Sequence, residues 1–108
     1  MGQRNKIWHT VFIKFRDGVS GDQKRDIFER YQRIAQKPGR EAAGVIFFHA
    51  DWSIDTRGGV DLIEIAVFED ERAREAFKSG PELVELVEML RSIADWRIGD
   101  MDLPAIIV

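Results

Sequence analysis

A histidine is the side chain whose ordinary pKa lies closest to neutrality, and this chain has two. His9 opens the run His9-Thr10-Val11-Phe12-Ile13-Lys14-Phe15-Arg16, which alternates as an extended strand does. Alternation puts Ile7, His9, Val11, Ile13 and Phe15 on one face and Trp8, Thr10, Phe12 and Lys14 on the other. In the later run Leu62 to Phe68, the same rule groups Glu64 with Leu62, Ala66 and Phe68, opposite Ile63, Ile65 and Val67. Tyr31, the only tyrosine, lies on the apolar stripe of a predicted helix. A carboxylate beside an imidazole favours the charged ring, and burial opposes it. His9, Glu64 and Tyr31 are therefore the candidate catalytic residues, an acid–base cluster at the base of an apolar pocket. The same pattern also fits a core histidine bonded to a neighbour, the commoner use of such a residue.

The rest of the sequence offers less chemistry. His49 stands beside Ala50-Asp51-Trp52 and alternates away from Ile46 and Phe48, which places it at a sheet seam or strand end. Two histidines on different strands do not make a metal-ligand spacing, so no metal site is expected, nor any cofactor. Gly58-Gly59 has no phosphate-loop context and reads as a turn. Ser20 and Ser79 read as helix caps, not nucleophiles. Sixteen basic and nineteen acidic residues give a net charge of −3 with no dense basic stripe, which argues against a nucleic-acid partner. No apolar run approaches the ~20 residues that cross a bilayer, so no membrane partner is expected. The polar Met1 to Lys6 segment leaves no room for a secretory leader. With no cysteine in the sequence, the expected location is cytoplasmic.

The elements that must position these residues follow from punctuation and period. At 108 residues with 44% hydrophobic and 32% charged, the chain predicts one globular domain over residues 1–108, with an ordered core over roughly 7–104. After the first strand, Ser20-Gly21-Asp22-Gln23 has the form of a capping box and predicts a helix to about Gln36. Ile27, Phe28, Tyr31, Ile34 and Ala35 form its apolar stripe, and Pro38-Gly39 ends it. Ala43 to Trp52, with Val45-Ile46-Phe47-Phe48, reads as a strand buried on both sides. Ser53 to Val60 is a hairpin loop before the Leu62 to Phe68 strand. Asp70 caps a helix through Lys78, Ser79-Gly80-Pro81-Glu82 repeats the cap pattern and restarts helix, and Asp95 to Leu103 is the last strand.

The order β-α-β-β-α-β predicts an α+β, ferredoxin-like fold: a four-stranded antiparallel sheet with both helices on one face. Within it the first and third strands are expected at the sheet centre as parallel neighbours. Strands apolar on both sides need a cover for the second face, and a second copy of the chain supplies one by closing a dimeric α/β barrel. Trp8, Trp52 and Trp96 fall in strands and read as core or interface residues. The apolar end Ala105 to Val108 reads as docked on the partner protomer, so deleting it should weaken the dimer.

Three stretches resemble the stress-responsive dimeric α/β-barrel (Dabb) domain family. These are His9 to Arg16, Ile27-Phe28-Glu29-Arg30-Tyr31, and Phe68-Glu69-Asp70 followed by Phe77 and Pro81. The resemblance implies a homodimeric barrel with a ligand pocket walled by Ile13, Phe28, Tyr31, Phe77 and Leu83. It also implies departures from the family's plant cyclase: Phe77 stands where that enzyme has a tyrosine, Leu83 where it has a second histidine, and Gly80 where a histidine precedes the proline. The cyclase mechanism therefore does not transfer. Three functions remain: a homodimeric protein binding a small apolar ligand, a proton-transfer enzyme acting through His9 on an aromatic or polyketide-like substrate, and a structural stress-response protein with a filled pocket.

Overall fold

The computed structural model describes residues 5–104. Its elements run β1 (Lys6–Phe15), α1 (Gly21–Gln36), β2 (Val45–Trp52), β3 (Leu62–Phe68), α2 (Glu71–Lys78), α3 (Pro81–Arg91) and β4 (Ala94–Leu103). The strands form one sheet in the order β2-β3-β1-β4, with every neighbouring pair antiparallel. This is the ferredoxin-like arrangement expected, with one correction: β1 and β3 are antiparallel, not parallel. The crossover through α1 leaves β1 and β2 pointing the same way with a gap between them. The hairpin at 53–61 then reverses the chain, so β3 enters that gap running the opposite way.

The helix starts are built locally. Ser20 accepts from the Gln23 backbone N–H at 3.1 Å while the Gln23 side chain accepts from the Ser20 N–H at 3.0 Å, closing the capping box of α1. Asp70 caps α2 by accepting from Ala73 N–H at 2.9 Å. Ser79 does not start α3. It closes α2, its hydroxyl donating to the Glu75 and Ala76 carbonyls, and Gly80 is the N-cap of α3 with Pro81 in the first turn. Proline needs no amide partner there and already has the helical φ, so α3 starts without a side-chain cap. Gly44 leads into β2 at φ +87°, and a Cβ added to it would lie 2.6 Å from the Ala73 Cβ.

Helices cover one face of the sheet. Beneath them lie Ile13, Phe15, Ile27, Leu62, Phe68, Leu86 and Leu90, together with His9 and Glu64. Aromatic rings extend this core: Tyr31 lies near Phe48, Phe77 packs against Phe48 and Phe68, and Phe28 stacks on Trp52 at 5.0 Å between centroids. The other face carries Trp8, Phe12, Phe47, Ile63, Ile65, Val67 and Met101, and nothing in the chain's described part covers it. Phe12, Phe47 and Met101 are 44%, 46% and 57% exposed. The expectation that β2 is buried on both sides is thereby corrected for the single chain. β2 is an edge strand with only its Phe48 and Ala50 side covered, and a bulge between Val45 and Phe47 leaves Ile46 exposed as well. The expected docking of Ala105 to Val108 lies outside the described residues.

Candidate functional site

His9, Glu64 and Tyr31 come together beneath the helices. The sheet register explains the first two. His9 pairs across β1–β3 with Ala66 and Val11 with Glu64, so His9 and Glu64 are diagonal neighbours on one face. Nε2 of His9 is 2.9 Å from Glu64 Oε2. Tyr31 reaches the same carboxylate from the middle of α1, its hydroxyl donating to Glu64. The three residues are only 4%, 2% and 2% exposed.

A fourth and a fifth residue complete the cluster. His9 pairs across β1–β4 with Asp100, whose Oδ1 is 2.5 Å from His9 Nδ1. The other Asp100 oxygen accepts from Arg74 Nη1 at 3.0 Å, and Arg74 is also held by Glu71 at 2.5 Å and Glu75 at 3.2 Å. Sequence reasoning missed both residues. A signal for Asp100 was there, since alternation from Trp96 and Ile98 carries it onto the apolar face of β4. No such signal marked Arg74, whose role depends on where α2 lies over the β4 end of the sheet.

The electrostatics follow from this enclosure. Burial is the largest single influence on His9 and lowers its pKa. Hydrogen bonds to Glu64 and Asp100, reinforced by their charges, outweigh it and leave the pKa above its ordinary value of 6.5. With carboxylate oxygens at both ring nitrogens, the doubly protonated ring is the form that satisfies both. Burial raises the Tyr31 pKa well above its ordinary value, and the charge of Glu64 and the hydrogen bond to it add to the effect. Tyr31 is thus a neutral phenol, and the cluster pairs one imidazolium with two carboxylates, the outer one shared with Arg74.

The cluster forms the polar end of a cavity of about 380 Å³ between β1, β4 and α3. Val11, Leu83, Val87, Leu90, Trp96 and Ile98 make its apolar wall, and Lys78, Glu88 and Arg91 also border it. That volume falls within the usual range for small-molecule sites, and side chains do not fill it. A second cavity of about 210 Å³ lies between α1, α2 and α3 and is lined in part by Ile34, Ala73 and Phe77. Leu83 borders both cavities and is the only residue that does so. Of the residues expected to wall the pocket, Tyr31 and Leu83 line the larger cavity and Phe77 the smaller. Ile13 is sealed in the core and Phe28 is engaged with Trp52, so neither borders the two cavities. His49 lies on the open sheet face beside Phe47, its side chain 60% exposed. Among the described residues no group of three or more His, Asp or Glu side chains is arranged to hold a metal ion.

Comparison with known proteins agrees with the fold. The sequence profile of the stress responsive A/B barrel domain (Dabb) matches residues 7–102. No curated protein matches the chain. Among solved structures, a dimeric ferredoxin-like protein of unknown function from Thermobifida fusca is 16% identical with a TM-score of 0.78, over 94% of this chain and 93% of its own. A Dabb family protein with a ferredoxin-like fold from Mesorhizobium loti is 15% identical with a TM-score of 0.70, over 91% and 96%. The hydroxynitrile lyase of Passiflora edulis is 14% identical with a TM-score of 0.72, over 95% and 97%. At these identities the likeness is one of fold.

Proposed function

We propose that this chain, which belongs to the Dabb family of stress responsive A/B barrel domains, is a single-domain homodimeric protein that binds a small apolar molecule between its sheet and its helices. The observation that carries this reading is that His9, Glu64 and Tyr31, almost wholly buried, all border one cavity whose remaining wall is mainly apolar. A buried ion cluster is a costly way to fill a core, since well-packed apolar side chains serve stability as well or better. A hollow beside such a cluster adds nothing to packing, whereas convergent polar groups at one end of an apolar pocket orient a ligand. The test is ligand-observed NMR with a panel of small aromatic alcohols, ketones and acids. Wild type should bind members of the panel, and Val87→Trp, which fills the cavity, should not. A wild type that binds none of them refutes the reading.

A second reading is proton transfer, of the cyclase or isomerase kind, on a hydrophobic substrate. An imidazole, a carboxylate and a phenol in one hydrogen-bonded chain favour it, because perturbed titratable groups concentrate where protons move. In this arrangement His9 is spent on its two carboxylates, so Glu64 accepts the proton and His9 holds its charge in place. His9→Ala should then abolish turnover of any substrate found, and unchanged turnover sinks the catalytic role.

The homodimer is supported by the apolar open face of the sheet, by family membership, and by similar structures described as dimeric. Uncovered apolar patches of this kind mark association surfaces. Phe47→Lys should yield a monomer in sedimentation velocity, and an unchanged dimer removes this part of the proposal. A role in stress responses rests on the family's description, and a cytoplasmic setting on the absence of cysteine.

A further inference from the structure

The polar end of the larger cavity has an uneven supply of hydrogen-bonding valences. Nδ1–H of His9 is used by Asp100 and Nε2–H by Glu64. The Tyr31 hydroxyl hydrogen is used by Glu64 as well. Every proton of the buried trio is therefore committed within the cluster. Acceptor capacity remains: a carboxylate has about four lone-pair sites, of which Glu64 uses two here, and a phenolic oxygen that donates can still accept. If His9 were singly protonated and the shared proton sat on Glu64, that proton would still bridge the two residues and the outcome would not change. The other donors bordering the cavity, on Lys78, Arg91 and Trp96, belong to half-buried or exposed side chains.

Resting on the reading that this cavity binds a ligand, we infer that its polar end selects an apolar molecule that enters hydroxyl first, an alcohol, phenol or enol, over a ketone, ester or carboxylate. A carbonyl or carboxylate oxygen at this end would meet acceptors only, and a buried acceptor without a donor costs more than a made bond returns. A carboxylate adds the repulsion of Glu64. An ammonium head offers donors but faces the imidazolium of His9 and loses its hydration on entry. A hydroxyl gives its hydrogen to Glu64 or to the Tyr31 oxygen and carries no charge. It is also the group from which Glu64 can take a proton.

The experiment is isothermal titration of the wild-type protein with indanol and indanone, which share a ring skeleton and differ at the single polar group. Indanol should bind at least tenfold more tightly. Equal binding, or tighter binding of indanone, overturns the selection rule while leaving the ligand cavity standing. If neither binds, the ligand reading itself fails and takes the rule with it. Glu64→Gln supplies a second check, because its amide brings N–H donors to the same place. The indanol preference should shrink at least threefold in this variant, and an undiminished preference assigns the selection to something other than the trio. The wild-type comparison stands even if the variant does not fold.

Discussion

Replacing Glu64 by glutamine tests the electrostatic account of the cluster more directly than any deletion. The substitution keeps the shape and one acceptor for His9, and removes the charge. In the wild type, burial lowers the His9 pKa, and two carboxylates at 2.9 and 2.5 Å overcome that effect and leave it raised. A histidine whose folded pKa is raised contributes stability that is fully present below its unfolded pKa, near 6.5, and lost as pH rises through the folded value. Removing the Glu64 charge leaves burial opposed by Asp100 alone, so the folded pKa falls and this pH-dependent contribution shrinks with it. A hydrogen bond to a charged group contributes about 1.5–3 kcal/mol, and breaking a buried ion pair costs about 3–5 kcal/mol when the remaining charge has no escape. His9 has two escapes, Asp100 and loss of its proton. The expected deficit is therefore about 2–3 kcal/mol at pH 6, a Tm lower by roughly 10–15 °C. It should narrow as pH rises through the raised folded pKa of His9, where the wild type itself loses the stabilising proton. Urea unfolding of both proteins across this range, with the His9 ring followed by NMR, measures it. A deficit that does not change with pH, or a wild-type His9 that titrates below 6.5, refutes the assignment of His9 as the cation between two carboxylates.

Two other substitutions probe the packing around the cavities. Gly44→Ala forces a left-handed backbone on a residue with a Cβ and drives that Cβ to 2.6 Å from the Ala73 Cβ, whereas Gly18→Ala has a similar φ of +86° and nothing within 4 Å. Gly18→Ala should lose about 1 kcal/mol, from backbone strain, and Gly44→Ala about 2–4 kcal/mol with overpacking added; equal losses in denaturant unfolding would mean that α2 yields freely against this turn. Leu83→Ala should join the two cavities at a loss of roughly 1–2 kcal/mol, below the usual range for a fully buried leucine because Leu83 is only half-buried. The joined space should admit longer apolar alcohols than wild type does, read as the longest chain that gives a thermal shift, and an unchanged limit would mean that Leu83 does not divide the space.

Much of the fold was legible because its signals are local. The Ser20 to Gln23 box, the Asp70 cap and the alternation of β1 and β3 each depend on residues within one turn or one strand, and the element bounds follow from them. Strand direction was not local. It depends on the handedness of the α1 crossover and on where the hairpin reenters the sheet, and the parallel placement of β1 and β3 failed there. Ser79 failed for a different reason: the same dipeptide, Ser79-Gly80, ends one helix and begins the next, and a serine hydroxyl suits either task. In the site, alternation put His9 and Glu64 on the right face but could not show that the β1–β4 register brings Asp100 to the second ring nitrogen. That register gives His9 a carboxylate at each ring nitrogen and raises its pKa.

Two of the three departures that the resemblance to the family's plant cyclase implies, Phe77 and Leu83, have a physical consequence. Phe77 packs its ring between Phe48 and Phe68 and borders the smaller cavity, and Leu83 borders both cavities. Neither brings a proton, so the helical side of the larger cavity is apolar apart from Tyr31 and the charged side chains of Lys78, Glu88 and Arg91. The buried polar groups are thereby confined to one end, where β1, β3 and α1 meet, while Lys78, Glu88 and Arg91 border the cavity from exposed positions. A site with two opposed polar walls can polarise a carbonyl from one side while removing a proton from the other. A site with one polar end, whose own protons are already committed, accepts a proton better than it gives one. On the proposed reading, the chemistry this cavity would support is holding a hydroxyl, or taking its proton and returning it.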